Sequence, residues 1–556
     1  MLNPIPAFLP VPRTFDPLPG FVDTRALQTH ADLERIAVPG DFRRSEGYRL
    51  ELSERRKRLE IGGPEALRHA LAHVRQWQGG DPAHTPCGVL ADEPEFVRRG
   101  FMLDVSRCKV PTREGLARWV KLLAAFRFNE LQLYTEHTFA YAAHPRFHQE
   151  ASPITAGDVK WLRGLCAEHG MELVPNQNCF GHFERWLCHP EYRAYAECAD
   201  GFETPWGEWR AEGSVLHPDQ ASFELVRGLL DELLPHFSAD RVNIGCDETW
   251  ELGQGKSKTQ CQREGMGSVY ADFVARIMRH VIRRHGLRPE FWGDILVKHP
   301  DQLHKIPREA IALEWGYEAG HPFETHGKRF ADSGLEFAVC PGTSSWQSFA
   351  GRTENMLQNI REAVESGRKN HASGLLLTDW GDRGHLQLPE VSFPALAWAG
   401  LCAWNPETAR TEDAWRWCDV EAFDGEAGAT EKWLALGRVS DVTGIFPNNA
   451  SAIFKMFRGE NVRATPDAIG KALEVLAALP RPQTRAEAWA QTARNLKLGL
   501  LRGGAATGMK VDEKDLLREA KAEHRRLWTL ENRPGGLDES LRNYDVGASI
   551  AEQNEQ

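Results

Sequence analysis

The stretch RVNIGCDETW, Arg241 to Trp250, decides how this chain folds, because a short apolar run ends there in two adjacent carboxylates. A strand buried in a parallel sheet has little use for charge along its length, so Asp247 and Glu248 mark the point where the strand emerges. Successive side chains on a strand point to opposite faces. Both carboxylates can therefore serve one cavity only if the strand ends or bulges at this point. Their closeness raises the pKa of at least one and makes a proton donor near neutral pH available. The competing use of such a pair is to cap a following helix.

Outward from this stretch, one local grammar repeats: an amphipathic helix, a glycine at its C-terminal end, then a short β-branched or aromatic run. It occurs around Gly170, Gly286 and Gly334, each placed for the left-handed residue that closes a helix. Leu116, Val120 and Leu123 share one helical face, as do Val269, Phe273, Ile277 and Val281. The candidate strands are GFMLDV (100–105), ELQLY (130–134), MELVP (171–175), RVNIG (241–245), EFWGD (290–294), AIALEW (310–315), EFAVC (336–340) and GLLLTDW (374–380). Eight strands alternating with helices predict an α/β fold, a (β/α)₈ TIM barrel; an open doubly wound sheet is the alternative, without a Gly-rich phosphate turn after the first strand. In a barrel the chemistry belongs at the C-terminal ends of the strands. Before it, GYRLELSERRKRLEIGGPEALRHALAHVRQW reads as two alternating strands and a helix, a small α+β domain over 1–95. The barrel is expected over 96–405 and a helical C-terminal region over 406–556, with polar, frayed residues from Gly547 to Gln556.

Composition narrows the functional classes. With 556 residues, 42% hydrophobic and 26% charged, the chain is ordinary globular material long enough for several domains. A net charge of -11 with scattered Lys and Arg offers no footprint for nucleic acid. No long uninterrupted apolar run suggests a membrane span, and the proline-broken N-terminus, MLNPIPAFLPVPRTFD, does not read as a secretory signal. Eleven cysteines without a C-x-x-C pair fit a reducing compartment, so a cytoplasmic protein is expected. No metal-binding spacing, P-loop or G-x-S-x-G pattern occurs, so neither a metal nor any other cofactor is expected.

The motifs RRGFMLDVSR, VPNQNCFGH, VNIGCDE, FWGD, LEWGY and LLTDWGD, in this order from Arg98 to about Asn405, resemble glycoside hydrolase family 20, the β-N-acetylhexosaminidase family. The resemblance implies a retaining exo-glycosidase that removes a terminal β-linked N-acetylhexosamine (GlcNAc or GalNAc) from a glycan or glycoconjugate. The nucleophile is then the substrate's own 2-acetamido oxygen, and the intermediate an oxazolinium. Glu248 would be the general acid and then base, and Asp247 would hold the acetamido N–H. Arg99 would bind hydroxyls of the terminal sugar, as would Asp382. His182 would stand near the acid, with Asn176 and Asn178 where the family has acidic residues. Trp292, Trp315 and Trp380 would wall the sugar. Trp346 falls where many members carry the tyrosine that meets the acetamido oxygen, so Tyr317 is the candidate for that hydroxyl. Glu136, with Tyr134 and His137, is a candidate substrate contact after the second strand. Two other readings stay open: a retaining glycosidase for a sugar without an acetamido group, using a carboxylate nucleophile, and a non-catalytic glycan-binding barrel.

Overall fold

The computed structural model describes residues 7–29, 33–79, 81–147 and 151–546. The polar end from Gly547 to Gln556 lies outside the described residues. The chain divides into two compact units, one made of Met1–Val97 and Phe393–Glu431, the other of Arg98–Ser392 and Lys432–Gln556.

The first unit is built on a five-stranded sheet in which the strands β1 (Thr14–Val22), β2 (Glu34–Ala37), β3 (Tyr48–Leu52), β4 (Lys57–Ile61) and β5 (Thr85–Asp92) lie in the order β1-β5-β3-β4-β2. Alternation along β3 sends Tyr48, Leu50 and Leu52 into a core shared with Leu59, Leu90, Val74 and Trp77, the last two from the helix Ala66–Gln78. Trp404 belongs to the same core, and its indole N–H donates to Asp92 Oδ2 at 2.8 Å. That corrects the expected boundary near 405. The helix Phe393–Trp404 is buried at every position and goes with this unit. Its sequence, FPALAWAGLCAW, is apolar all round and carries no stripe that says which core it faces.

The second unit contains the barrel. Its strands are β6 (Arg98–Asp104), β7 (Glu130–Tyr134) and β8 (Glu172–Val174), then, after a hairpin of β9 (Phe202–Glu203) and β10 (Trp209–Arg210), β11 (Arg241–Asn243), β12 (Arg288–Trp292), β13 (Ile311–Trp315), β14 (Glu336–Cys340) and β15 (Gly374–Asp379). All eight expected barrel strands are present, parallel, in the order β11-β12-β13-β14-β15-β6-β7-β8. Asn243 N–H donates to the Pro175 carbonyl and Gln177 N–H to that of Asn243, both at 2.9 Å, which brings β8 and β11 together. Gly170, Gly286 and Gly334 take positive φ at helix ends as expected. The helix Ala156–Glu168 opens on a reciprocal capping box between Thr155 and Asp158. The helical C-terminal region is divided: Thr411–Ala422 lies in the first unit, whereas Pro466–Ala478, Ala486–Ala505, Lys514–Glu531 and Leu537–Val546 lie with the barrel.

Charge does occur along these strands, in the closed interior of the barrel, where sequence reasoning expected little. Glu130 accepts from Arg98 Nε at 3.1 Å and from Arg241 Nη2 at 2.6 Å, and Glu290 is paired with Arg98. Gln132 donates to Glu130 at 2.8 Å and to Glu290 at 2.9 Å, and its own oxygen accepts from Asn176 at 2.9 Å and Asn243 at 3.1 Å. The two guanidinium groups make the burial of carboxylates tolerable. Burial would raise Glu130, but Arg98 and Arg241 hold its carboxyl well below the usual range. Replacing Glu130 by Gln leaves Glu290 as the one buried carboxylate between the two cations, with Arg241 keeping only its outer partners Glu172 and Asp240, at 2.7 and 2.8 Å. The expected loss is about 3–5 kcal/mol of unfolding free energy, read as a lower urea midpoint for the barrel; an unchanged midpoint contradicts the role given to this network.

Candidate active site

The strand β11 stops at Asn243, and the next residues leave regular geometry: Gly245, Cys246 and Glu248 have φ of 67°, 73° and 51°. The strand therefore ends before the carboxylates, as the pair requires. A side chain at position 245 would meet Asn178, whose atoms lie 2.5 Å from where its Cβ would stand. Left-handed backbone at Cys246 and Glu248 costs roughly 1–3 kcal/mol per residue. It is held in place from outside: Tyr270 donates to the Cys246 carbonyl at 2.8 Å, and Asn178 Oδ1 accepts the Cys246 N–H at 3.0 Å.

Asp247 is buried and gripped on both oxygens. Asn178 Nδ2 donates to Oδ1 at 2.8 Å, and His182 Nε2 lies 3.2 Å from Oδ2. The same His182 nitrogen is 3.5 Å from Glu248 Oε2. Burial acts to raise Asp247, but the His182 charge and the hydrogen bonds from His182 and Asn178 overcome it and hold the carboxyl below its usual range. Burial would lower His182, and the Asp247 carboxylate instead raises it to about 10. Arg107 Nη2, 3.4 Å from His182 Nδ1, is a like-charge neighbour working against that rise. Glu248 goes the other way from Asp247: its recessed position, opposed by His182 and reinforced by Asp247 and Asp382, pushes it up to about 7.

A box of aromatic rings stands beside the pair. Tyr134, Trp292, Trp346, Trp380, Trp315 and Tyr317 pack in one cluster at the ends of β7, β12, β13 and β15 and the loop after β14. Trp315 stacks on Tyr317 at 5.1 Å, Trp346 meets Tyr317 edge-on at 4.9 Å, and Trp380 meets Tyr134 edge-on at 4.7 Å. Trp380 Nε1 donates to the Tyr317 hydroxyl at 2.8 Å, and Trp346 Nε1 to Asn449 at 3.0 Å. The indole nitrogens of Trp292 and Trp315 are buried without a hydrogen-bond partner.

Arg107 organises the polar side. Its guanidinium lies 4.8 Å from the Tyr134 ring and 5.0 Å from that of Trp380. It pairs with Asp104 and Glu136, each at 3.3 Å, and reaches within 3.9 Å of Asp382. Asp104 also accepts the Gly381 N–H at 2.9 Å and so fixes the turn that carries Trp380 and Asp382. Burial, opposed by Arg107 and reinforced by Glu184, pushes Glu136 up to about 7. Asp294 accepts the Glu248 N–H at 3.2 Å, and burial followed by the Asp247 and Glu248 charges pushes it up to about 8.

The structure thus brings together Asp247, Glu248, Glu136, Asn178, His182, Trp292, Trp315, Tyr317, Trp346, Trp380 and Asp382. Arg99 is the correction. It shares strand parity with Phe101, which stacks on Trp119 of the helix Arg113–Ala125, and its Nε donates to the Arg127 carbonyl at 2.7 Å. It therefore points out of the barrel at the N-terminal end of β6, while Arg107, from the same motif, stands at the mouth. Asn176 belongs to the barrel interior, bonded to Gln132. His137 packs against Phe147 at 5.9 Å. Sequence reasoning missed Arg107, Asp104 and Asp294; the signal for each was its place at or just past a strand's C-terminal end.

Three side-chain groups could converge on a metal ion among the described residues: His182 with Asp247 and Glu248, Glu314 with His321 and His326, and Asp231 with His280 and His285. At the first, the Asp247 carboxylate holds a proton on the His182 imidazole and so works against ligation through it. At the other two, both imidazoles sit at hydrogen-bond distance from a single carboxylate oxygen, 2.7 and 2.8 Å at Glu314 and 2.8 Å each at Asp231.

The family model described as "Glycosyl hydrolase family 20, catalytic domain" matches residues 96–363. A β-hexosaminidase of Akkermansia muciniphila is 22% identical over 417 residues, 67% of this chain and 82% of that protein. Human hexosaminidase D is 26% identical over 315 residues, 52% of this chain and 62% of that one. Among solved structures, a Flavobacterium johnsoniae chitobiase aligns with TM-score 0.60 at 14% identity, over 99% of this chain and 93% of its own. A Vibrio harveyi exo-β-N-acetylglucosaminidase aligns with TM-score 0.57 at 15% identity, over 79% of each chain. Through its barrel, this chain belongs to glycosyl hydrolase family 20 and is a glycoside hydrolase.

Proposed function

We propose that the enzyme removes terminal β-linked N-acetylhexosamine from glycans or glycoconjugates, with retention, by substrate-assisted catalysis. The observation that carries this reading is the opposite displacement of two neighbouring carboxyls: Asp247 is held ionised, and Glu248 sits at about 7 and is available as an acid. In the first step the acetamido oxygen attacks C1 while Glu248 protonates the departing glycosidic oxygen. Asp247, kept anionic by His182 and Asn178, accepts the acetamido N–H and stabilises the oxazolinium charge. In the second step Glu248, now the base, takes a proton from the water that attacks C1. The nucleophile is carried by the substrate and needs only orientation. The aromatic box supports an acetamido pocket, with the Tyr317 hydroxyl and the partnerless N–H groups of Trp292 and Trp315 as donors. Arg107, Asp382 and Glu136 offer the charged groups that bind sugar hydroxyls.

Two carboxylates serving as acid and protein nucleophile would flank the sugar on opposite sides. Here both carboxyls reach one imidazole nitrogen, at 3.2 and 3.5 Å, which favours the assisted mechanism over the glycosidase with a carboxylate nucleophile. Eleven cysteines, none in a disulfide, support a reducing, cytoplasmic setting. A panel of aryl β-glycosides with and without the 2-acetamido group tests the class. Turnover confined to acetamido sugars and strong inhibition by a thiazoline mimic are expected; equal turnover of plain glucosides overturns the reading.

Four outcomes follow at the site. Asp247→Asn lowers kcat by about 10²-fold or more, and Glu248→Gln by about 10²–10⁴-fold, the latter largely relieved in the first step when the leaving group needs no protonation. Tyr317→Phe lowers turnover by about 10²-fold; unchanged kinetics remove Tyr317 from the acetamido pocket. Because Glu248 must carry its proton, kcat/KM falls as pH rises through about 7. The acid limb, set by protonation of Asp247, lies below the ordinary carboxylate pKa of about 4. An alkaline limb that persists in Glu248→Gln with an activated substrate would assign it to another group.

A further inference from the structure

The hairpin of β9 and β10 takes no part in the chemistry above, yet it displays two of the most exposed large apolar side chains of the protein, Trp206 at 56% and Trp209 at 65%. Neither is loose. Trp206 sits at the tip of a turn closed by Gly207 N–H to the Thr204 carbonyl at 2.9 Å, and its indole N–H donates to Glu208 at 3.0 Å. Trp209 precedes Arg210 on β10 and so faces the other side of the hairpin, where its ring lies against Gly201, whose Cβ would come within 2.7 Å of it. Trp206 packs edge-on against Trp250 at 4.9 Å, and the Arg210 guanidinium lies 5.5 Å from one ring and 5.9 Å from the other.

Trp250 ties this surface to the site. It follows Glu248 by two residues, and its N–H donates to the Glu248 carbonyl at 2.8 Å. Gln254 donates to the carbonyls of both Glu203 and Trp250, at 3.1 and 2.9 Å, so hairpin and acid-bearing loop are fastened together. Ser214, just past the hairpin, donates to Glu251 at 2.7 Å, and its carbonyl accepts the N–H of Phe183, the neighbour of His182.

Held indoles that stay partly exposed contribute contact area at little entropic cost, and exposed apolar patches of this kind mark interaction sites. Here the patch adjoins the proton donor, and a carboxylate and a guanidinium edge it. An apolar face rimmed by hydroxyl-binding groups fits a pyranose ring. We propose that Trp206 and Trp250, with Arg210 beside them, form the leaving-group platform of the enzyme, taking the sugar rings beyond the scissile bond of a β-linked oligosaccharide. The proposal rests on the reading of Glu248 as proton donor.

The test compares two substrates of the full-length enzyme: the β-1,4-linked trimer of N-acetylglucosamine and the β-fluoride of N-acetylglucosamine, whose leaving group cannot reach the platform. Trp206→Ala should lower kcat/KM for the trimer by about three- to tenfold, with fluoride hydrolysis within about twofold of wild type, which also reports that the variant folds. Equal changes on both substrates, or none on the trimer, overturn the platform alone. A change of oligomeric state without a change on the trimer overturns it in favour of a protein interface. A wild-type enzyme that fails to hydrolyse the fluoride overturns the hydrolase reading and the platform with it.

Discussion

The barrel depends on the neutralisation of two carboxylates in its closed interior. Glu130 and Glu290 lie between Arg98 and Arg241, and this pairing sets the direction of the hydrogen bonds above it. Gln132 must turn its amide nitrogen toward the acids, so its oxygen faces Asn176 and Asn243. Asn243 then presents its own oxygen to the Gly245 N–H, at 2.9 Å, where the chain leaves the strand. A carboxylate can only accept and a guanidinium can only donate. The orientation of each amide in this chain is therefore fixed from the ionic end, and it finishes at the turn that carries Asp247.

At the mouth the balance is struck with fewer cations per carboxylate. Arg107 and His182 face Asp104, Glu136, Asp247, Glu248 and Asp382, and Asp294 lies beneath the acid. Two positive charges cannot hold all of these ionised in a recessed site. Asp247 takes the largest share because it alone combines His182 with the Asn178 amide. The deficit falls on Glu136, Glu248 and Asp294, all pushed up to between about 7 and about 8. The acid is thus produced by scarcity of positive charge as much as by burial.

Much of this was legible in the sequence. The eight strands and three helix-closing glycines follow from periodicity and turn chemistry, which are local properties. The requirement that the strand break between Asn243 and Glu248 follows from parity alone. What failed was what depends on packing across the barrel. Arg98 and Arg99 are adjacent and chemically identical, and only the side on which Phe101 and Met102 fall decides which points inward. The helix Phe393–Trp404 has no polar face by which to choose a core. Asn178, standing where the family has an acid, reads in sequence as a loss of charge, whereas its amide donates to Asp247, which an acid could not do while ionised.

The unequal roles of two consecutive residues come down to backbone conformation. On a regular strand Asp247 and Glu248 would face opposite sides of the barrel wall, and one would be lost to the helices outside. Positive φ at Cys246 and again at Glu248 turns the chain so that both carboxyls reach the same imidazole. The turn also separates them. Asp247 is drawn into the interior, where the amide of Asn178 waits, and Glu248 stays 28% exposed at the rim. The strain at these residues is sustained by Tyr270 and Asn178 on the Cys246 peptide, so the stability of the barrel supplies the geometry that its most strained turn requires.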